Sequence, residues 1–233
     1  IVNPSFDSQT KDYMNTPSSK FGSSCVVSDN FIEKVAKMGV MEAACALTQV
    51  KETKVAKKTD GSKTKSLKGI PKLVDANWAG TDKSDQCMLL LCEGDSAKAG
   101  IISGLSSTDR NTIGVFPLKG KVMNVKDANK TQVMNNSEIT NLKKIIGLET
   151  GKTYKNTKQL RYGKIMIMTD QDHDGSHIKG LVINVFHSMW PSLLDLNFIT
   201  SMITPIIKVT KSKKSESFYT LKDYDVCANY WAS

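Results

Sequence analysis

The second half of the chain alternates between short apolar runs and segments whose apolar residues recur at helical spacing. The continuous run CMLLLC at 87–92 is typical of a strand that is buried on both faces. Further strands are predicted at 112–117 and 164–169 and within 198–209. Helices are predicted at about 96–104, 137–147 and 175–189. This alternation predicts an α/β domain with a mainly parallel sheet flanked by helices.

The first 69 residues have a different pattern. Residues 1–27 mix Asn, Pro, Ser and Lys, and we expect a loop with short extended pieces. Ser28 is followed by apolar residues at helical spacing, which predicts one long helix over 30–51, weakened in its middle by Gly39. Residues 51–69 are rich in lysine and turn-forming residues, so they are predicted to be a linker. A solvated tether is favoured over a DNA-binding face there.

Basic residues outnumber acidic ones by 32 to 23, which gives a net charge of +9. Such an excess attracts polyanions, and nucleic acid is the obvious candidate. All basic residues except Arg110 and Arg161 are lysines, which favours contact with phosphates over bidentate reading of bases. Ordinary solubilising charge gives the same count, so composition alone leaves both explanations open.

The cysteines and the hydropathy argue against a zinc-binding, a disulfide-rich and a membrane-spanning protein. The five cysteines include no CxxC pair, which predicts neither a zinc site nor a disulfide framework and is typical of a reducing compartment. Cys45 and Cys92 lie in apolar stretches and are predicted to be small core residues. No apolar stretch approaches the roughly 18 residues of a spanning helix, and the first residues, IVNP, lack the basic region and apolar stretch expected of a signal peptide. The chain lacks a starting methionine, so we expect a fragment of a longer protein.

Three aspartates follow the third predicted strand, in the segment TDQDHDG. Ligands of open α/β sheets gather at the carboxyl ends of strands, so this position favours a binding site. If the extended conformation persists, Asp170 and Asp172 project to one side about 7 Å apart. Two carboxylates at this separation repel each other, and a bound cation offsets the repulsion. Hard oxygen ligands in small number indicate Mg²⁺, which retains waters and takes phosphate oxygens from substrates.

Two other interpretations fit parts of this segment. DxDxDG also opens an EF-hand loop, but position twelve of that loop is Leu181 here instead of Glu, and a strand precedes the motif. Acidic residues that cap the following helix explain Asp174 well. Capping explains three carboxylates together poorly, so metal binding is favoured.

A second acidic segment, EGDSA at 93–97, ends the first predicted strand. Glu93 is placed to complete a metal site with Asp170, and Gly94 permits close backbone approach or an unusual φ. Asp95 or Ser96 can cap the following helix, which is a sufficient structural explanation for that part. Two strand-end acidic clusters in one parallel sheet indicate a site more strongly than either cluster alone.

A third segment, PLKGK at 117–121, follows the second predicted strand. A glycine between Lys119 and Lys121 lets the backbone and the ammonium groups approach a phosphate. Taken by themselves, these three residues are more often a plain surface turn, and phosphate contact is the alternative.

In this order, EGDSA, PLKGK and TDQDHDGSHIKG resemble the TOPRIM signature of eukaryotic-type DNA topoisomerase II, including relatives from large DNA viruses. NPSFDSQTK at 3–11 resembles the end of the family's ATPase-transducer region, and KGIPKL at 68–73, LRYGK at 160–164 and ITPI at 203–206 also match. The likeness covers about residues 1–224. It implies a Rossmann-like TOPRIM domain at 70–224, preceded by a transducer-derived loop and long helix at 1–50 and the linker at 51–69. A divergent tail at 225–233 would follow.

The resemblance implies roles for individual residues. Glu93, Asp170 and Asp172 correspond to the metal ligands, with Asp174 as a supporting acid and Lys119 beside them in catalysis. The implied DNA-binding positions are Gly94, Asp95, Lys119, Gly120, Lys121, His177 and Lys179. A helix-surface role is an equal alternative for the last two. Gln9, Thr10 and Lys11 correspond to the loop that senses the γ-phosphate of ATP.

The implied activity is that of an ATP-dependent type II DNA topoisomerase. Mg²⁺, which Mn²⁺ or Ca²⁺ can replace in binding, would support attack on DNA by a tyrosine from another domain. The six tyrosines of the chain match no family nucleophile position, so the chain alone is predicted not to cleave, pass or religate DNA. The implied partners are double-stranded DNA and, in the full-length enzyme, a second copy; no membrane is implied. The implied location is the nucleus for a cellular enzyme, and host cytoplasm or a viral factory for a viral one.

Two features depart from the family pattern. The family commonly has Arg at the position of Lys119, which puts bidentate phosphate contacts there in doubt. The tail VCANYWAS does not continue the pattern. Another TOPRIM enzyme, such as a primase or nuclease, and a DNA-binding module without chemistry are the alternatives. The flanking motifs count against the first, and the intact acidic residues count against the second.

Overall fold

A computed structural model describes residues 1–24, 26–126, 128–211 and 214–232. The chain forms two compact units, Ile1–Val50 and Lys51–Ser233. No helix in the described part of the chain is both long enough and apolar enough to cross a membrane.

The Ile1–Val50 unit begins with an irregular segment and continues into helices. Phe6 and Met14 form an antiparallel bridge, and a 3₁₀ turn follows at Ser18–Lys20. Helix α1 (Asp29–Lys37) begins at Ser28, whose hydroxyl accepts a hydrogen bond from the Phe31 amide at 3.4 Å. Helix α2 (Val40–Lys57) follows after a break.

The predicted single helix over 30–51 is wrong in one respect, because it is interrupted at Gly39. This glycine has φ +71°, a left-handed conformation that ends α1 and redirects the chain. Cys45 is exposed on α2, so the prediction that it is a core residue is also wrong. Cys25 lies outside the described residues.

The Lys51–Ser233 unit is built on a four-stranded parallel sheet. Its strands are β1 (Met88–Glu93), β2 (Ile113–Leu118), β3 (Lys164–Met168) and β4 (Ile199–Ser201). Their spatial order is β2-β1-β3-β4. The chain leaves β1 for β2 on one side and later returns to place β3 on the other side. The sheet therefore has a switch point between β1 and β3, where ligands of such folds bind.

Helices cover both faces of this sheet. Leu90 and Cys92 of β1 pack on one face beneath α3 (Gly94–Gly104). Leu89 and Leu91 face the other way, into a core that includes α6 (Ser137–Ile146) and α7 (His173–Met189). Alternate residues of one strand thus serve two cores, which explains the continuous apolar run in the sequence. The predicted α/β architecture is confirmed.

Several shorter elements complete the fold. They are α4 (Asp109–Thr112), α5 (Lys130–Asn135), α8 (Pro191–Asp195), the antiparallel strands β5 (Ile207–Lys211) and β6 (Lys214–Phe218), and α9 (Leu221–Ala232). The ring of Phe218 is buried and meets the Tyr224 ring edge-on, with centroids 5.5 Å apart. Most of the segment expected to be a divergent tail, 225–233, lies in helix α9, which ends at Ala232.

The segment expected to be a solvated linker is partly ordered against the domain. Residues 51–57 belong to α2, and Ala56 is buried. Asp60 pairs with the buried Lys143 at 2.8 Å, and the Gly61 amide donates to the Leu148 carbonyl at 2.8 Å. These non-local polar contacts hold the start of the segment in place, although its composition is that of a tether.

A buried polar network fixes the segment that leads into β3. The Arg161 side chain is fully buried and donates to the carbonyl oxygens of Thr64 and Ile145, at 2.6 and 2.7 Å, and to the Asp75 carboxylate. The Tyr162 hydroxyl donates to the other oxygen of Asp75. The network therefore connects the residues just before β3 to three other segments of the chain. β3 is the strand that precedes the aspartates.

Candidate metal centre

The acidic segments lie at the carboxyl ends of two adjacent strands. Glu93 is the last residue of β1, and Asp170 is the second residue after β3. Cys92 and Met168 are partners in the parallel register, so the two strand ends are level. The fold therefore brings together two segments that are far apart in sequence, at the switch point of the sheet.

One carboxylate oxygen of Glu93, Oε2, is buried at this edge without a hydrogen-bond partner among the described residues. Glu93 occupies the N-cap position of α3, yet its side chain makes no capping hydrogen bond. Burial raises the pKa of the Glu93 carboxyl, the charges of Asp170, Asp172 and Asp174 raise it further, and Lys121 opposes them. A buried acceptor surrounded by other acids is costly unless a cation or a proton joins it.

The loop between β3 and α7 holds the first two aspartates. β3 ends at Met168, so Asp170 and Asp172 lie in this loop and not on an extended strand. Asp172 is the N-cap of α7, and its Oδ1 accepts a hydrogen bond from the Gly175 amide at 2.7 Å. The suggestion that Asp174 caps the helix is wrong, because the helix begins earlier than expected, at His173. Capping uses one oxygen of Asp172 and leaves its second oxygen available.

Asp174 is paired with a lysine from the PLKGK segment. Its Oδ1 lies 2.9 Å from the Lys121 ammonium, and both side chains are more than half exposed. The pKa of Asp174 is lowered, first by the hydrogen bond from Lys121 and then by the charge of the same lysine. His177 lies on α7, three residues after Asp174, and its predicted role stays a prediction. Lys179 is half-buried on α7, and its predicted role stays a prediction.

The donor set fits a hard divalent cation. Within the described residues, no three Asp, Glu, His or Cys side chains already converge closely enough to enclose a metal ion. Mg²⁺ needs no such cage, because it keeps several waters and takes one or two carboxylates together with substrate phosphates. The unpaired Oε2 of Glu93, beside the exposed Asp170 and Asp172, matches that mode of binding.

The PLKGK segment lies at the same edge of the sheet, after the neighbouring strand β2. Gly120 has φ +86°, a conformation that glycine adopts without strain, and it turns the chain between the exposed Lys119 and Lys121. The Lys119 amide donates to Glu138 at the start of α6. Sequence reasoning did not single out Glu138, because no local pattern marks a contact between two segments distant in sequence.

Asp95 and Gly94 begin α3 beside Glu93. Gly94 has φ +80°, so the unusual backbone expected at this position is present. Asp95 does not cap α3; its carboxylate binds the Lys72 ammonium instead. Lys72 belongs to the KGIPKL segment that resembles the family, but no role was predicted for it, and its φ of +70° has no sequence signal in a lysine.

The predicted ATP-sensing residues lie in the Ile1–Val50 unit. Gln9, Thr10 and Lys11 are exposed at the end of the loop closed by the Phe6–Met14 bridge. The Thr10 hydroxyl donates to Asp12 at 2.7 Å, and Lys11 has φ +57°. Their role stays a prediction.

Comparisons with known proteins agree on one family. The Toprim domain family matches residues 88–203, which include all three acidic and basic segments. The chain is 50% identical over 228 residues to DNA topoisomerase 2 top-2 of Caenorhabditis elegans, covering 96% of this chain and 15% of that protein. It is 52% identical over 228 residues to DNA topoisomerase 2 of Bombyx mori, covering 97% of this chain and 15% of that protein.

A solved structure supports the same assignment. The DNA-binding, cleavage and re-ligation domain of Plasmodium falciparum topoisomerase II has a TM-score of 0.68 and 50% identity, covering 72% of this chain and 23% of that chain. The chain spans about 15% of the length of the topoisomerase relatives above. It belongs to the eukaryotic-type DNA topoisomerase II family and contains a Toprim domain.

Proposed function

We propose that this chain is the part of an ATP-dependent type II DNA topoisomerase that holds Mg²⁺ at the site of DNA cleavage and religation. The unpaired, buried Oε2 of Glu93 is the observation that carries the proposal, because a buried acceptor beside other acids is costly until a cation or a proton joins it. The shared edge with the acidic loop and with PLKGK supports it. The activity belongs to the full-length protein, and the chain alone is expected to be inactive.

Glu93, Asp170 and Asp172 would hold the metal, and Asp174 would support it from beside Lys121. When bound, Mg²⁺ supplies charge stabilisation at a phosphate. The residues of this chain orient the DNA. The exposed ammonium groups of Lys119 and Lys121 bind backbone phosphates, and Gly120 lets the backbone approach them. Capping of α7 by Asp172 would hold the acidic loop at the edge of the sheet where the phosphate would bind.

The proposed partners and location follow from the family. We expect double-stranded DNA as substrate, ATP as the cofactor of the full-length enzyme, and a homodimer as its functional form. Residues 1–50 would be the C-terminal part of the ATPase-transducer region, with Gln9, Thr10 and Lys11 as the loop that senses ATP. A cellular enzyme would work in the nucleus, and a viral one in host cytoplasm or a viral factory.

Replacing Asp170 with alanine is expected to weaken Mn²⁺ binding at least tenfold, because it removes a carboxylate from the metal-holding edge. Mn²⁺ is titrated into the wild-type chain and the variant, with and without nicked duplex DNA, and free Mn²⁺ is followed by electron paramagnetic resonance. Wild-type binding is expected to strengthen with DNA, since Mn²⁺ shares phosphate oxygens with the carboxylates.

Asp195→Ala is the matched control, because Asp195 lies at the end of α8 and its replacement removes the same charge elsewhere. Equal Mn²⁺ affinity in wild type and Asp170→Ala would mean that these acids hold no metal. A chain that binds DNA equally well without metal would then be a DNA-binding module.

A further inference from the structure

Lys72 reaches the edge of the proposed metal site from outside the three motif segments. It lies ahead of the first strand, and its ammonium forms an ion pair with the Asp95 carboxylate. Both side chains are exposed, at 42% for Lys72 and 60% for Asp95. An exposed pair of this kind contributes little to stability, so the fold does not depend on it.

The backbone of Lys72 has an uncommon conformation. Its φ of +70° lies in the left-handed region, which residues with a Cβ seldom adopt. The side chain of Lys72 reaches the carboxyl edge of the sheet, where Asp95 follows β1. Strained backbone of this kind persists where surrounding structure holds it, and it concentrates at functional sites.

Asp95 is one carboxylate among several lysines at this edge. It is paired with Lys72, and Lys98 lies three residues further along the same helix, α3. Lys119 follows Leu118, which is the parallel-register partner of Glu93, so it leaves the neighbouring strand end. A second anion would be attracted to this group of lysines.

We propose that Lys72 is a further DNA-phosphate contact of this site, and that Asp95 holds its ammonium in position until a phosphate displaces the carboxylate. The proposal rests on the proposed function, because it extends the same DNA-binding edge. A single backbone phosphate resembles a carboxylate in charge and in its two free oxygens, but DNA presents a dense row of them, and each lysine contact releases counterions. The exposed Lys72–Asp95 pair separates readily. The edge would then contact the DNA backbone from two sides of Glu93, through Lys72 and through Lys119 and Lys121.

The test measures the affinity of the chain for a fluorescein-labelled duplex by anisotropy over a series of KCl concentrations. Each lost phosphate contact reduces the slope of log K against log salt by about 0.9. Lys72→Ala is expected to show that reduction, and Lys72→Arg is expected to keep the wild-type slope. Lys121→Ala serves as the reference for a contact that belongs to the proposed function.

Lys152→Ala is the matched control. Lys152 is also a lysine in an ion pair, with Glu149 at 2.6 Å, and its side chain is 33% exposed. It follows the C-terminal end of α6, whose first turn contacts Lys119. Its replacement removes the same charge, so it reports the general effect of net charge on DNA binding. Its slope is expected to equal that of wild type.

Asp95→Asn tests the exchange of partners. It is expected to tighten DNA binding severalfold in the wild-type background, and less in the Lys72→Ala background, because the competition is specific to Lys72. Equal gains in both backgrounds overturn the exchange.

Equal slopes for Lys72→Ala and Lys152→Ala, together with a reduced slope for Lys121→Ala, overturn the assignment of Lys72 and leave the proposed function intact. A wild-type chain that does not bind the duplex overturns both.

Discussion

Replacing Arg161 with alanine is expected to lower the free energy of unfolding by about 3–5 kcal/mol, the usual effect of removing one partner of a buried ion pair. The guanidinium is fully buried and bonds to three partners from different segments, namely the carbonyl oxygens of Thr64 and Ile145 and the carboxylate of Asp75. After truncation these acceptors lose a charged donor, and Asp75 keeps a negative charge that is only partly solvated, at 26% exposure.

Tyr162 does not compensate for that loss. Its hydroxyl donates to Asp75 and accepts from the Ala76 amide at 3.1 Å, so its single donor is already used. Lysine at position 161 would restore the charge but not the planar fork that serves three acceptors. Arg161→Lys is therefore expected to recover only part of the stability.

Urea unfolding followed by tryptophan fluorescence measures the change as a lower midpoint at an unchanged slope. Arg110→Ala is the control, since Arg110 is exposed and is the other arginine of the chain. If Arg161→Ala and Arg110→Ala unfold at the same urea concentration, the buried network contributes nothing to stability.

The parallel sheet could be predicted closely because its strands are apolar on both faces. The strand predicted at 87–92 is Met88–Glu93, and the strand predicted at 164–169 is Lys164–Met168. The helix predicted at 137–147 ends before Gly147, whose φ of +85° is a left-handed helix cap. Continuous apolar runs and a terminal glycine are local signals, and local signals can be read from one sequence.

Short elements and buried polar contacts could not be predicted. Helices as short as Pro191–Asp195 contain too few turns to give a hydrophobic period. Lys143 lies within a correctly predicted helix, yet its ammonium is buried against Asp60 and the Thr59 and Thr150 hydroxyls, each at 2.8 Å. Asp60 and Thr59 belong to the lysine-rich segment 51–69, and nothing in the sequence of that segment shows that they contact a buried lysine of a distant helix.

The same distinction applies to the candidate site. Residue types and the positions of the strand ends were sufficient to predict that Glu93 and the acidic loop share one edge of the sheet. The pairings Lys121–Asp174 and Lys72–Asp95 depend on how separate segments meet. The capping role of Asp172 depends on a helix start that differs from the predicted one by two residues, His173 in place of Gly175. The placement of the acidic residues was therefore predictable, and the choice of their partners was not.

Replacing Gly175 with alanine is expected to disturb the acidic loop and to weaken Mn²⁺ binding at least tenfold. A Cβ at this position would overlap the carbonyl oxygen of Asp170 and would lie 3.1 Å from the Thr169 Cβ. The loop must move to relieve the overlap, and such overpacking costs about 1–3 kcal/mol. The Gly175 amide also donates to Asp172, so both predicted ligands move together.

Gly180→Ala separates this effect from the general consequences of the substitution. Gly180 lies in the same helix, and an added Cβ there meets nothing within 4 Å. Because alanine favours a helix over glycine by about 1 kcal/mol, Gly180→Ala is expected to raise stability slightly and to leave Mn²⁺ affinity unchanged. The two variants therefore change stability in opposite directions through one methyl group on one helix.

Urea unfolding and Mn²⁺ titration by electron paramagnetic resonance are carried out on both variants. If Gly175→Ala is as stable as wild type and binds Mn²⁺ equally well, the close approach of α7 to Asp170 does not position the metal ligands. Lower stability with unchanged Mn²⁺ affinity would place the metal away from this loop. Loss of both in Gly175→Ala alone would mean that the helix start and the metal-holding loop form one packed unit, in which a single absent side chain lets the carboxylates reach their positions.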